Sequence, residues 1–248
     1  STVTQDMVFH STTPRVDFET QVDWRETHKL LKAGFDTTIF ASEARHEIQF
    51  GHLMRPTHRN LTTDRARFEV SNHKWTDLSD AQFGVAILND CKYGISVLGG
   101  DMRLTLLKSG TRPDYRADNG VHRFDYAMLP HEGPFSAAAV VRPAYEFNIA
   151  VVALAGCCAE AMSLASVDAA NVLIETIKWA EDGKALVLRL YEAEGAQTRC
   201  KLSFGVKAIR AAESDMLETE QNELPIAANA LNLDFRPFEI KTIRVEVE

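Results

Sequence analysis

Cysteine is scarce in this chain. Cys91, Cys157, Cys158 and Cys200 are all that 248 residues contain, too few and too scattered for a disulfide framework. Cys157 and Cys158 are adjacent, a spacing that rarely meets disulfide geometry without strain. No C-x-x-C pair offers a zinc site, so all four are expected to be reduced core thiols that behave as small hydrophobes. No apolar run approaches the ~20 residues of a membrane helix, which leaves no expectation of a membrane partner. Positive charge is also short: 27 Lys+Arg against 35 Asp+Glu give a formal net charge of −8. That balance argues against a nucleic-acid partner, because phosphate contacts need a clustered positive face. The N-terminus, Ser1-Thr2-Val3-Thr4-Gln5-Asp6, lacks an initiator Met and the basic start and apolar run of a secretory signal. The expectation is a processed chain or a piece of something longer. Asn60-Leu61-Thr62 fits the N-glycosylation triplet with no signal to support it. P-loop, dinucleotide-binding and nucleophile-elbow motifs are all missing.

What is present is alternation. Val16, Phe18, Thr20, Val22 and Trp24 alternate with Asp17, Glu19, Gln21 and Asp23, the pattern of a strand with one wet face. Ala66-Phe68-Val70, Met102-Leu104-Leu106, His122-Phe124-Tyr126-Met128 and Phe147-Ile149-Val151-Ala153 repeat it. So do Leu186-Leu188-Leu190, Cys200-Leu202-Phe204-Val206, Leu231-Leu233-Phe235 and Ile243-Val245-Val247. Ten or more strands joined by turns such as Gly99-Gly100-Asp101 and Glu181-Asp182-Gly183 predict an all-β sandwich architecture. One segment departs: Ala137, Val140, Val141, Ala144 and Tyr145 follow helical spacing between Pro134 and Asn148, with a kink or early end expected at Pro143. Ala-, Ser- and Asp-rich sequence between Ala159 and Val172 predicts a boundary, with a large sandwich over 1–160 and a small one over 170–248. The acidic run Glu213 to Glu223 reads as a solvated loop or edge strand.

Polar density peaks between Glu43 and Tyr93. His46, His52 and His58 recur at intervals of six, which fits neither a helical pair nor a zinc spacing, so they read as structural histidines of a long loop. Trp75 and His73 beside Asp77 and Asp80 would suit a sugar ring, which offers an apolar face and hydroxyl edges, although packing in the core explains Trp75 more simply. Asn89-Asp90-Cys91-Lys92-Tyr93-Gly94 follows an apolar strand and reads as its closing turn. A glycosidase needs two facing carboxylates about 5–5.5 or 6.5–9.5 Å apart. No such pair stands out, so no residue here is assigned as catalytic or as a metal ligand.

Long runs carry a resemblance. Phe50-Gly51-His52-Leu53-Met54-Arg55-Pro56-Thr57-His58-Arg59-Asn60, His73-Lys74-Trp75-Thr76-Asp77-Leu78-Ser79 and the stretch from Asn89 to Ser109 resemble the β region that follows the catalytic barrel in glycoside hydrolase family 38 α-mannosidases. Leu129-Pro130-His131-Glu132-Gly133 and Arg236-Pro237-Phe238-Glu239-Ile240-Lys241-Thr242-Ile243 fit the same pattern. The likeness runs from about Val16 to Val247 and is closest to the cytosolic and bacterial branch. It implies a large galactose-mutarotase-like sandwich (a supersandwich) followed by a small C-terminal β-sandwich. It also implies a parent that removes terminal α-linked mannose with retention, through an Asp nucleophile, a second carboxylate and zinc in an upstream barrel that no segment here matches. The chain itself is then expected to be inactive and without a cofactor, a partner of that barrel in a cytoplasmic homo-oligomer. The residues expected to lend the barrel a rim contact to an α-mannoside are Arg55, His58 and Asn60 in the polar loop and Asn89, Asp90 and Tyr93 at the strand end. They equally suit hydrogen bonds that satisfy one another's turns. The competing expectation is a free-standing carbohydrate-binding or assembly sandwich. An aldose-epimerase-like sandwich would need a His base and a carboxylic acid converging in one concave face, and no such pair is legible.

Overall fold

The structure, a computed structural model, describes residues 1–156 and 161–248, and the chain divides into two compact units, Ser1–Ala150 and Val151–Glu248. Cys157 and Cys158 lie outside the described residues. The first unit holds β1 (Thr2–Phe9), β2 (Val16–Trp24), β3 (Lys29–Asp36), β4 (Glu43–Ile48), β5 (Gly51–Pro56) and β6 (Val70–Ser71). It continues with β7 (Trp75–Ser79), β8 (Phe83–Asn89), β9 (Gly94–Leu98), β10 (Asp101–Ser109) and β11 (Gly120–Glu132). These strands form a seven-stranded sheet in the order β1-β2-β11-β8-β7-β4-β5 and a four-stranded sheet in the order β3-β10-β9-β6. Val22, Leu78, Val85, Ile87 and Phe124 from the first meet Ile95, Met102, Leu104 and Leu107 from the second in one core. The alternation of β10 breaks where its register against β3 shifts between Thr105 and Leu107, so Leu106 and Leu107 are both buried.

β7 and β8 are buried almost throughout, because the far face of the large sheet is covered as well. The cover is the expected helical segment, but its form differs from expectation. A π-helical turn, Ala137–Val141, runs into an α-helix, Arg142–Asn148, and Pro143 sits in the first turn of that helix instead of ending it. The first turn is where a missing N–H costs least, so the proline is accommodated by the change of helix type before it. Ala137, Val140, Val141 and Ala144 are fully buried there.

The second unit holds β12 (Ala165–Val167), β13 (Val172–Trp179), β14 (Leu186–Glu192), β15 (Thr198–Phe204), β16 (Ala208–Ser214), β17 (Glu220–Leu224), β18 (Ala230–Phe235) and β19 (Ile240–Val247). A three-stranded sheet, β12-β15-β18, and a five-stranded sheet, β13-β14-β19-β16-β17, enclose Leu188, Leu190, Leu202, Leu231, Leu233, Phe235, Ile243 and Val245. The acidic run ends in β17, an exposed edge strand. Every described strand pairing in both units is antiparallel, and the fold is all-β.

Three sequence expectations fail. Ala66-Phe68-Val70 is not a strand: Thr62–Ala66 forms a short helix, Asp64 accepting the Leu61 N–H at 3.0 Å, and Phe68 is exposed. Phe147-Ile149-Val151-Ala153 is not a strand either, since the helix carries through Asn148 and the residues after it pair with nothing regular and stay exposed. Cys91 is exposed in the turn after β8, while Cys200 is in the core as expected. Burial pushes both thiols up to about 11, so neither is a ready thiolate.

Candidate functional site

The six candidate residues fall into two groups, both within the first unit. At the end of β8, Asn89 has no exposed surface. Its Nδ2 donates to the His73 carbonyl at 2.6 Å, and its Oδ1 accepts the Lys92 N–H at 2.8 Å. Asp90 uses Oδ2 to accept the Asp125 N–H at 3.0 Å, which ties the turn to β11. Tyr93 is exposed, its hydroxyl 3.5 Å from the Asp90 carbonyl and its ring 5.6 Å from that of His73. Asn89 can therefore act only through the turn it holds, whereas Tyr93 presents a free ring face to solvent.

The second group lies on a hairpin and the segment after it. His46 and His52 are not in a loop: they stand on β4 and β5, which pair from Ile48↔Gly51 outwards. The turn hid from the sequence because Phe50 supplies the left-handed conformation, φ 54°, that Asn or Gly usually marks. His46 is buried, with Nδ1 3.1 Å from the Thr76 hydroxyl. Burial first, and then the charge of Arg55, push it down to about 3, so it is neutral near pH 7. Arg55 is half-buried, and its pKa is held below the usual guanidinium range by burial and by Arg67. His58 Nδ1 accepts the Asn60 N–H at 3.5 Å and lies 3.6 Å from Asp64. Arg55 and His58 share a cleft with Arg59, Asp64 and Arg67. The sequence reading left out Arg67, although the run from Arg55 to Arg67 carries four arginines against one aspartate in an acidic chain.

Trp75 is enclosed, 1% exposed, with its ring stacked 5.0 Å from Phe135 and 5.9 Å from His52. It is a core residue, so it offers no platform to a sugar. Asp77, beside it, is a bridge: Oδ1 is 2.8 Å from His131 Nε2, and Oδ2 accepts the Ser79 hydroxyl at 2.8 Å. Ser79 in turn accepts the Phe135 N–H at 3.2 Å, so this polar chain latches the end of β11 and the residues after it onto β7. Ser79 and His131 each bond to Asp77, on different carboxylate oxygens, so the arrangement reads as a latch. Among the described residues, no group of three or more His, Cys, Asp or Glu is placed to hold a metal ion. No described helix is long and apolar enough to cross a membrane.

Residues 1–116 match the glycosyl hydrolases family 38 C-terminal domain, and residues 171–243 match the glycosyl hydrolases family 38 C-terminal beta sandwich domain. The chain is 43% identical over 251 residues to alpha-mannosidase 2C1 of Homo sapiens and 41% identical over 252 residues to alpha-mannosidase G of Dictyostelium discoideum. It is 98% covered in both alignments, yet spans only 24% and 23% of those relatives. In fold it is similar to an alpha-mannosidase from Enterococcus faecalis V583, with a TM-score of 0.82 at 20% identity over 98% of this chain and 29% of that one.

Proposed function

The chain belongs to glycosyl hydrolase family 38, as part of its C-terminal region, and from that premise we propose that it is the non-catalytic β portion of a retaining α-mannosidase. The parent would remove terminal α-linked mannose from glycans or manno-oligosaccharides. The observation that carries this reading is alignment over 98% of the chain at 41–43% identity to about a quarter of two α-mannosidases. The large sandwich over 1–160 and the small one over 170–248 are proposed as its domains, with the catalytic barrel of the same polypeptide as their partner. The zinc that the family resemblance implies is assigned to the barrel. The parent is read as a cytoplasmic homo-oligomer.

The role left to this chain is support of the barrel and of its pocket rim. Tyr93 and Asp90 at the strand end, with Arg55 on β5 and His58 and Asn60 after the hairpin, carry the polar groups suited to that task, and buried Asn89 sets the shape of the turn. Binding sites favour such domain interfaces. The test is turnover of an aryl α-mannoside. The 248-residue chain alone should release no product with or without zinc, while a parent polypeptide that includes the barrel should turn over. Robust activity of the chain alone, lost on mutating one of its residues, would overturn the reading.

A further inference from the structure

The cleft beside the β4–β5 hairpin has a charge problem that the described residues do not solve. Arg55, Arg59 and Arg67 gather around it with His46 and His58, and Asp64 is the lone carboxylate in its lining. No ion pair among the described residues neutralises any of these three arginines. Asp64 is engaged elsewhere, 3.6 Å from His58 and accepting the Leu61 N–H. Arg55 Nε is buried with no hydrogen-bond partner. A buried donor left unpaired is costly, and a guanidinium beside another guanidinium adds repulsion to that cost. The neighbouring Arg67 helps to hold Arg55 below its ordinary pKa, which reports the same repulsion. In a chain of net charge −8, the run from Arg55 to Arg67 holds four arginines and a single carboxylate.

The chemistry that relieves it is narrow. A sugar hydroxyl could accept one N–H but would leave both charges in place. An oxyanion supplies the acceptor and the counter-charge together, and its paired oxygens match the planar fork of a guanidinium. We propose that this cleft is an oxyanion site, taking a phosphoryl or carboxylate group between the half-buried Arg55 and the exposed Arg59 and Arg67. This inference does not depend on the activity of the parent. A parent that proves to be an active α-mannosidase with an anion-blind cleft overturns the oxyanion site alone.

The experiment is calorimetric titration of the 248-residue chain with inorganic phosphate, and in a second arm with acetate, at constant low ionic strength made up with chloride. Saturable one-to-one binding above the chloride background is expected. Arg67→Gln should weaken it about tenfold, the worth of one charge-assisted hydrogen bond, and Arg55→Gln should weaken it further. Arg199→Gln, an exposed arginine already paired with Asp234 in the second unit, should leave it unchanged. Phosphate tighter than acetate supports the phosphoryl form of the site, and the reverse order supports the carboxylate form. Should Arg55→Gln fail to fold, the exposed Arg67 decides alone. Absence of saturable binding by either anion, or binding that a folded Arg67→Gln variant retains in full, overturns the proposal.

Discussion

His46 stands buried on β4, where burial and then Arg55 push it down to about 3 from its ordinary 6.5. Between those two values the unfolded chain binds a proton that the folded chain refuses. The stability tied to neutral His46 is therefore complete above about pH 6.5 and is lost as pH falls towards 3. At pH 5 the loss amounts to about 2 kcal/mol. His131, on β11 of the same sheet, works in the other direction. Burial tends to lower its pKa, but the hydrogen bond and charge of Asp77 outweigh that, and the net shift is upward. Its contribution is full below its ordinary value of 6.5 and is lost as pH rises through the higher folded value. Urea unfolding at pH 7 and pH 5 checks the first claim: the wild-type chain should lose about 2 kcal/mol more than His46→Gln over that interval. Equal losses would mean that His46 is protonated without penalty. For the second claim, His131→Gln should flatten the decline in stability above neutral pH. A steeper alkaline fall in that variant would contradict the Asp77 pairing.

At the scale of elements, the latch explains a residue that strand propensity disfavours. Gly84 lies in β8, directly across from His131 of β11 and Ser79 of β7. A Cβ there would fall 2.2 Å from the His131 ring and 2.7 Å from Ser79 Cβ, so the bare backbone is what lets the ring cross to Asp77. Gly84→Ala should cost about 1–3 kcal/mol through overpacking, read as an earlier thermal midpoint, and unchanged melting would mean that the ring moves freely aside. In the second unit, Glu192 is buried and accepts the N–H groups of Glu194, Gly195, Ala196 and Phe238 and the Asn171 amide. Glu192→Ala strips all five donors at once and should lower stability by about 3 kcal/mol or more, again read by denaturation. Neither device was legible beforehand, because each depends on residues far apart in sequence. The long alternations were legible, as in β2, β10 and β11, because one wet face imposes period two over many residues. Three-residue alternation at Ala66-Phe68-Val70 was too short to outvote a polar helix start at Thr62-Thr63-Asp64. The β4 segment, Glu43-Ala44-Arg45-His46-Glu47-Ile48, buries a histidine and a glutamate, so no apolar count could find it. Of the candidate site, the residue types and their two neighbourhoods were readable, while the cleft was not, since Arg67 joins it only through the short helix.

At the scale of the whole molecule, the proposed role of this chain as a non-catalytic support for a catalytic barrel is open to test, and the two candidate groups give that test separable answers. Asp90 holds the Asp125 N–H in an exposed turn, so Asp90→Ala removes that hydrogen bond and should destabilise the chain by about 0.5–1.5 kcal/mol whatever its wider role. Arg55 carries no such structural duty. Its Nε is unpartnered, and its neighbour Arg67 repels it, so Arg55→Ala should leave melting unchanged or raise it slightly. The parent enzyme then separates the two roles. If Arg55 faces the barrel or its pocket rim, Arg55→Ala lowers kcat/KM by about tenfold or more with no loss of thermal stability, a change of about 1.4 kcal/mol in transition-state stabilisation. A rim contribution from Asp90 must likewise appear as a kcat/KM deficit per folded molecule, beyond what early melting explains. Kinetics of both variants, normalised to the folded fraction, make the measurement. Full activity per folded molecule in both would confine these residues to the architecture of the sandwich and leave the barrel to shape its own rim.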